Sequence, residues 1–243
     1  MKKMQAATLL GAGIIFAIGV LAWPGASLAK EVESSMARGG LLYDKWYKEI
    51  GEKAPGTKHP LYPAEGKYAK KAGDTWRCKE CHGWDYKGKD GAYAKGKHYT
   101  GIMGIHGMAG GDPGKVVALL KDDKHGYGDK LSDTDLQDLG NFVTKGQVDA
   151  DKYIDSATKM PKSGDKAKGA AVFNTMCAKC HGMDGTEPDD MKKSLGKQMG
   201  NPWEVMHKIM NGQPDEEMPA LRALDRGVVM DVMSHITTLP KKP

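Results

Sequence analysis

The sequence predicts a mainly α-helical chain built from two similar small domains. Three observations predict it. The pattern Cys-x-x-Cys-His occurs twice, in "WRCKECHGW" (76–84) and "MCAKCHGMD" (176–184). Apolar residues recur at helical spacing near the end of each half, as Leu136, Leu139, Phe142 and Val143, then as Val228, Val229, Val232, Met233 and Ile236. A polar run over 147–166, with Pro161, Ser163 and Gly164, separates the halves and reads as a linker. The expected division is a leader at 1–29, a first domain at 30–148, a linker at 149–163 and a second domain at 164–243.

The leader stands apart from the fold. Lys2 and Lys3 precede an uncharged apolar run over 6–23, and small residues at Ser27 and Ala29 make a cleavage point before Lys30. The run is also close to the roughly 20 residues that span a bilayer, so an uncleaved anchor is the alternative. Either way the working part is expected outside the cytoplasm, in a periplasm. The chain has 36 Lys and Arg against 31 Asp and Glu; losing the two leader lysines gives 34 − 31 = +3, too little to argue for nucleic acid. A mean hydropathy of −0.55 fits a water-soluble product, and only 7% of residues are aromatic. Chains so poor in aromatics often build their core around something else.

The motifs say what that is. Cys78, Cys81, Cys177 and Cys180 are all the cysteines in the chain, and His82 or His181 follows each pair directly. Disulfides, a redox pair or half a zinc site also use Cys-x-x-Cys, but none of them needs the adjacent histidine. Thiols at i and i+3 on one helical turn can form thioethers to both vinyl groups of a haem, and the next residue then turns its imidazole to the iron. Two covalently bound haem c groups are therefore expected. The glycine-rich "GIMGIHGMAGGDPG" lacks the strand and the GKS or GKT ending of a phosphate loop and reads as haem-edge loop.

On these residues, "GDKAKGAAVFNTMCAKCHGMDG" followed by "NGQPDEEMPAL" resembles a small c-type cytochrome domain of the mitochondrial cytochrome c type, over 164–240. The resemblance implies a helix carrying Gly169 and Phe173 that crosses a C-terminal helix over 225–239. It also implies a methionine before a proline as sixth iron ligand, which Met218 in "EEMPAL" fits; Met183, Met191, Met199, Met206 and Met210 are expected as core or surface. Residues 39–146 resemble the same family with departures. The helix "GGLLYDKWYKEI" is separated from Cys78 by a segment bearing Pro55, Gly56, Pro60 and Pro63. That insertion reads either as a wrap on one haem edge, using Tyr62, Tyr68 and Trp76, or as a surface loop. Ser132 with Asp135 marks the start of this half's last helix and Gly146 its stop.

Matching Leu131 to Leu224 sets His125 where the second half has Met218, so the first haem is expected to be bis-histidine, His82 and His125. Met103, Met108, His98, His106 or an open position compete for that place. Imidazole favours ferric iron more than thioether does, so the first haem is expected lower in potential than the second, held by His181 and Met218. His59, His207 and His235 read as surface or helix-face histidines.

The functional expectation is a periplasmic dihaem electron carrier, not an enzyme, between a dehydrogenase or quinol-side donor and a higher-potential acceptor. Lys67, Lys70, Lys71, Lys87, Lys89, Lys95 and Lys97 around the first motif would steer an acidic redox partner. One alternative is a haem enzyme of the dihaem peroxidase or thiosulfate-oxidising type, which needs an open or labile sixth position. The thiosulfate type uses a cysteine as distal ligand, and here haem attachment takes every cysteine. The other alternative is a dedicated cytochrome subunit of an oxidoreductase complex.

Overall fold

The computed structural model describes residues 24–188, 191 and 193–242. The leader expected over 1–29 lies outside the described residues as far as residue 23. Among the described residues no helix is long and apolar enough to cross a membrane. Their regular structure is mainly helical, with short 3-10 turns and one antiparallel pair of two-residue strands, β1 (Ile154–Asp155) and β2 (Met160–Pro161). The first half contributes α1 (Pro24–Glu49), kinked at Lys45, then α2 (Cys78–His82), α3 (Pro113–Lys121) and α4 (Asp133–Asn141), which ends in a π-helical turn, Phe142–Gly146. The second half contributes α5 (Lys166–Met176), α6 (Ala178–His181), α7 (Leu195–Gln198), α8 (Pro202–Asn211) and α9 (Arg226–Ile236).

Local sequence explains the helix starts. Ser132 and Asp135 form a reciprocal capping box at α4, the Ser132 hydroxyl accepting from Asp135 N and the Asp135 carboxylate accepting from Ser132 N. Asp165 caps α5 by accepting from Ala167 N and Lys168 N, and Asp225 caps α9 through Gly227 N. Pro113 and Pro202 occupy first helical positions, where the missing N–H costs nothing. On α9 the buried face is Val229, Met230, Val232, Met233 and Ile236; Val228 is half-buried and Met230 takes the place expected for it.

Each half is closed by the same helix crossing. A Cβ on Gly39 of α1 would lie 2.2 Å from the Asp138 carbonyl oxygen of α4, and one on Gly169 of α5 would lie 1.9 Å from the Asp231 carbonyl oxygen of α9. Only glycine allows backbones that close. Four residues later in both helices comes a buried aromatic, Tyr43 or Phe173. Phe173 leads within one turn to Cys177, whose N–H donates to the Phe173 carbonyl. Tyr43 reaches its motif through space instead, donating its hydroxyl to the Gly83 carbonyl at 2.6 Å. The insertion lies between, and it is packed: His59, Tyr62, Thr75 and Trp76 are buried, and the Trp76 indole donates to the Thr57 carbonyl. The run expected as a linker also packs, with Ala150 and Ile154 buried in the second core.

The halves meet through a buried polar bridge. His207 of α8 lies 3.0 Å from the Gly40 carbonyl through Nε2 and 2.9 Å from the Tyr86 hydroxyl through Nδ1. A carbonyl can only accept, so Nε2 carries the hydrogen, and Tyr86 donates to Nδ1. Both nitrogens are satisfied by the neutral ring. Burial pushes His207 down to about 3. The ring packs against Trp84, Tyr43 and Phe142 at centroid distances of 4.9, 5.8 and 5.7 Å. Trp84 and Tyr93, from beyond the first motif, belong to the core of the second half. His59, His207 and His235 were expected as surface or helix-face histidines; His207 and His235 lie on helices, His59 and His207 are buried with partners far along the chain, and His235 is half-buried beside Phe173.

The crossing predicts that Gly169→Ala costs about 3 kcal/mol in urea unfolding, because the new methyl meets backbone that cannot yield. Gly56→Ala, with open space around it, is the matched control and should be near neutral or slightly stabilising. The bridge predicts an acid sensitivity. His207 has a folded pKa near 3 against an unfolded value of about 6.5, so its contribution is complete above that value and is lost as pH falls through the window between them. From pH 7 to pH 5 the loss is roughly 2 kcal/mol, read as the difference between wild-type and His207→Gln unfolding profiles.

Candidate haem sites

Both Cys-x-x-Cys-His motifs form one turn of helix that stops on a glycine in the left-handed region, Gly83 (φ 79°) and Gly182 (φ 68°). The arrangement after each turn is also shared. The His82 Nδ1 lies 2.8 Å from the Met103 carbonyl, and the His181 Nδ1 lies 3.2 Å from the Glu187 carbonyl. Carbonyls accept, so Nδ1 holds the proton in both rings and Nε2 keeps its lone pair for a metal. An imidazole whose second nitrogen donates to a backbone carbonyl is oriented as a metal ligand needs. Burial lowers both histidines from the usual imidazole value and outweighs the carbonyl bonds, which raise them. None of the four cysteines is paired in a disulfide, and burial pushes Cys78 and Cys81 up to about 12. Paired cysteines on one turn beside an imidazole with an available Nε2 fit haem c at both places.

The first motif is held from α1 and from the second half. Arg77, just before Cys78, donates to the Asp44 carboxylate at 2.5 Å and to its carbonyl at 2.8 Å. Lys208 of α8 bonds the other Asp44 oxygen. Burial alone would raise the Asp44 carboxyl, but Lys208 and Arg77 outweigh it and hold it well below the usual carboxylate range. Lys79 and Lys208 both sit over the Trp84 ring, at 4.8 and 5.6 Å from its centroid.

His125 follows α3 on a tight turn in which Asp122 accepts from His125 N at 2.8 Å and lies 3.2 Å from its Nδ1. Among the described residues its Nε2 has no such partner. The insertion fastens this turn: His59 donates from Nε2 to the His125 carbonyl while its Nδ1 accepts from Leu61 N, and Tyr127 donates to the Trp76 carbonyl at 2.8 Å. The Met103 backbone is on the Nδ1 side of His82, away from the nitrogen that would bind iron, and its side chain is 68% exposed. His98 is stacked on Tyr93, with Lys67 and the Glu80 carboxylate at its two nitrogens. His106 donates its backbone N–H to the Tyr86 carbonyl, and Met108 packs against the first core.

Met218 lies in the connection between α8 and α9, half-buried, its carbonyl passing over Gly212: a Cβ there would be 2.7 Å from the Met218 oxygen. Met199, Met206 and Met210 are core, Met183 is 65% exposed and Met191 is half-buried. Of the lysines near the first motif, Lys70, Lys71, Lys89, Lys95 and Lys97 are exposed, whereas Lys87 pairs with Asp151 at 2.5 Å and Lys67 bonds the Tyr68 hydroxyl. Arg77, Asp44, Lys208, His59 and His207 were not singled out as supporting residues from sequence, because each acts through partners distant along the chain.

A family model described as "Cytochrome C oxidase, cbb3-type, subunit III" matches residues 164–236, less than half of the chain. No curated protein and no solved structure matches the chain at a significant level. The match spans α5 to α9, with the second Cys-x-x-Cys-His turn among them, and shows that the second half carries a cytochrome c domain, the kind of haem domain that carries electrons.

Proposed function

We propose that the chain is an exported dihaem c-type cytochrome that carries electrons between a dehydrogenase or quinol-side donor and a higher-potential acceptor. The observation that carries the reading is the repetition, in both halves, of a Cys-x-x-Cys-His turn whose histidine donates Nδ1 to a backbone carbonyl and presents Nε2. Cys78 and Cys81 hold one haem and Cys177 and Cys180 the other. Haem iron, when bound, supplies one-electron oxidation and reduction. The chain supplies the rest. His82 and His125 ligate the first iron, and His181 and Met218 the second. The His125 imidazole favours the ferric state, and the Met218 thioether favours the ferrous state, so the first site is the lower in potential. With both sixth positions filled by protein, no substrate reaches iron, which favours a carrier over an enzyme.

A second reading, a dedicated cytochrome subunit of an oxidoreductase complex, draws on the matching family, which is that of an oxidase subunit. Co-purification of a stable partner from mild detergent extracts distinguishes it from a free shuttle.

Near-infrared magnetic circular dichroism of the oxidised protein should give one bis-histidine and one histidine/methionine charge-transfer band. Two methionine-type bands would move the first ligand to Met108 or Met103, and a high-spin haem would favour the enzyme. Met218→His should convert the methionine band into a second bis-histidine band and lower the potential of that site by on the order of 0.1 V or more, measured by redox titration.

A further inference from the structure

The connection that bears Met218 is fastened by the other domain. Four residues beyond Met218, Arg222 is 7% exposed, and its guanidinium points across the domain interface. Its Nε and Nη2 donate to the Asn211 side-chain oxygen at 3.0 and 2.7 Å, and Nη2 also donates to the Gly146 carbonyl at 2.8 Å. Gly146 ends the π-helical turn that closes α4, so its carbonyl is one that a helix terminus leaves without an intrahelical partner. The guanidinium also lies 5.8 Å from the Phe142 ring centroid, in the first core. Among the described residues no carboxylate comes within ion-pair distance of it; two dipoles from two domains meet its charge, and Glu33 acts on it from farther off.

Further contacts act on the same connection. Lys48 pairs with Glu216 at 2.9 Å, Asp215 N donates to Glu49 at 3.3 Å, and Lys208 bonds both Asp44 and Gln213. Asn211 is itself wedged against Gly40 of α1, where a Cβ would come within 2.4 Å of its side chain. Within the second domain, Leu221 N donates to the Ile209 carbonyl. The methionine connection is thus held on one side by its own domain and on the other by α1 and the end of α4.

We infer that the first domain sets the position of Met218 through Arg222, so that methionine ligation in the second site depends on the domain interface. Arg222 is a positioning residue: it does not touch the site but fixes the loop that does. The inference rests on the reading of Met218 as an iron ligand. If the latch opens, the methionine spends more time off the iron, and an added ligand binds there more tightly in proportion to that population.

The test uses the full-length holoprotein as wild type, Arg222→Gln and Arg222→Lys, with imidazole as the probe ligand for the oxidised state. Losing hydrogen bonds from a buried charge should raise apparent imidazole affinity at the second site roughly tenfold or more in Arg222→Gln and weaken the methionine–iron band. Arg222→Lys keeps the charge and should lie between wild type and Arg222→Gln; it also serves should Arg222→Gln fail to accumulate. The bis-histidine band of the first site and the helical circular dichroism should stay unchanged, a pattern that general destabilisation would not give. Imidazole affinity and methionine band equal to wild type in the folded variants would overturn the inference. A wild-type protein with no methionine–iron band would overturn the ligand assignment itself, and the latch with it, so the two failures are told apart before any variant is made.

Discussion

The close crossing of two helices at a glycine is the constraint on which both halves depend. At Gly39 and Gly169 a side chain would collide with backbone carbonyl oxygen, so the first helix of each half can lie against its last one only if that position is bare. Once the helices touch, the aromatic one turn later, Tyr43 or Phe173, is driven into the core beside the Cys-x-x-Cys-His turn. The turn then needs only its terminal glycine and one following carbonyl to aim the histidine. The second half uses this plan in nearly its shortest form. The first half interrupts it with an insertion after α1, and there the Tyr43 hydroxyl bond to Gly83 supplies the connection that chain continuity supplies in the second.

The insertion is more than tolerated. Its residues make a buried cluster, with His59, Trp76 and Tyr127 in edge or tilted contact, and this cluster holds the turn carrying His125. The Met218 connection in the other half is held differently, by Arg222 reaching the first domain. Each candidate sixth ligand therefore sits on a loop whose geometry is set by groups outside that loop. Loops positioned by a rigid surround are where binding residues belong. Because the surround of Met218 includes the partner domain, the halves behave as one body rather than as two beads on a linker.

What could be read from sequence was local. The doubled motif, the Ser132–Asp135 cap, the Gly169–Phe173 pair and the apolar face of α9 are encoded within a few residues each, and their patterns have few alternatives. The partners of His207 were not legible, because a lone histidine on a helix gives no sign of a tyrosine hydroxyl 121 residues earlier or a carbonyl 167 residues earlier. The polar run after Gly146 looks like a tether by composition, yet Ala150 and Ile154 bury it in the second core. Arg222 was not singled out for the same reason: its partners are a carbonyl and an amide, which no charge pattern marks. Local pattern thus located the two Cys-x-x-Cys-His turns, and long-range packing determined what fixes the loops above them.

The claim beneath all of this is that each motif holds its own haem through two thioethers. Intact mass of the purified protein under denaturing, reducing conditions, together with haem counted per chain, tests it most directly. The account requires a mass increase of two haems, two haems per polypeptide, and no free thiol open to alkylation. One haem with two reactive thiols, or none with four, would contradict it.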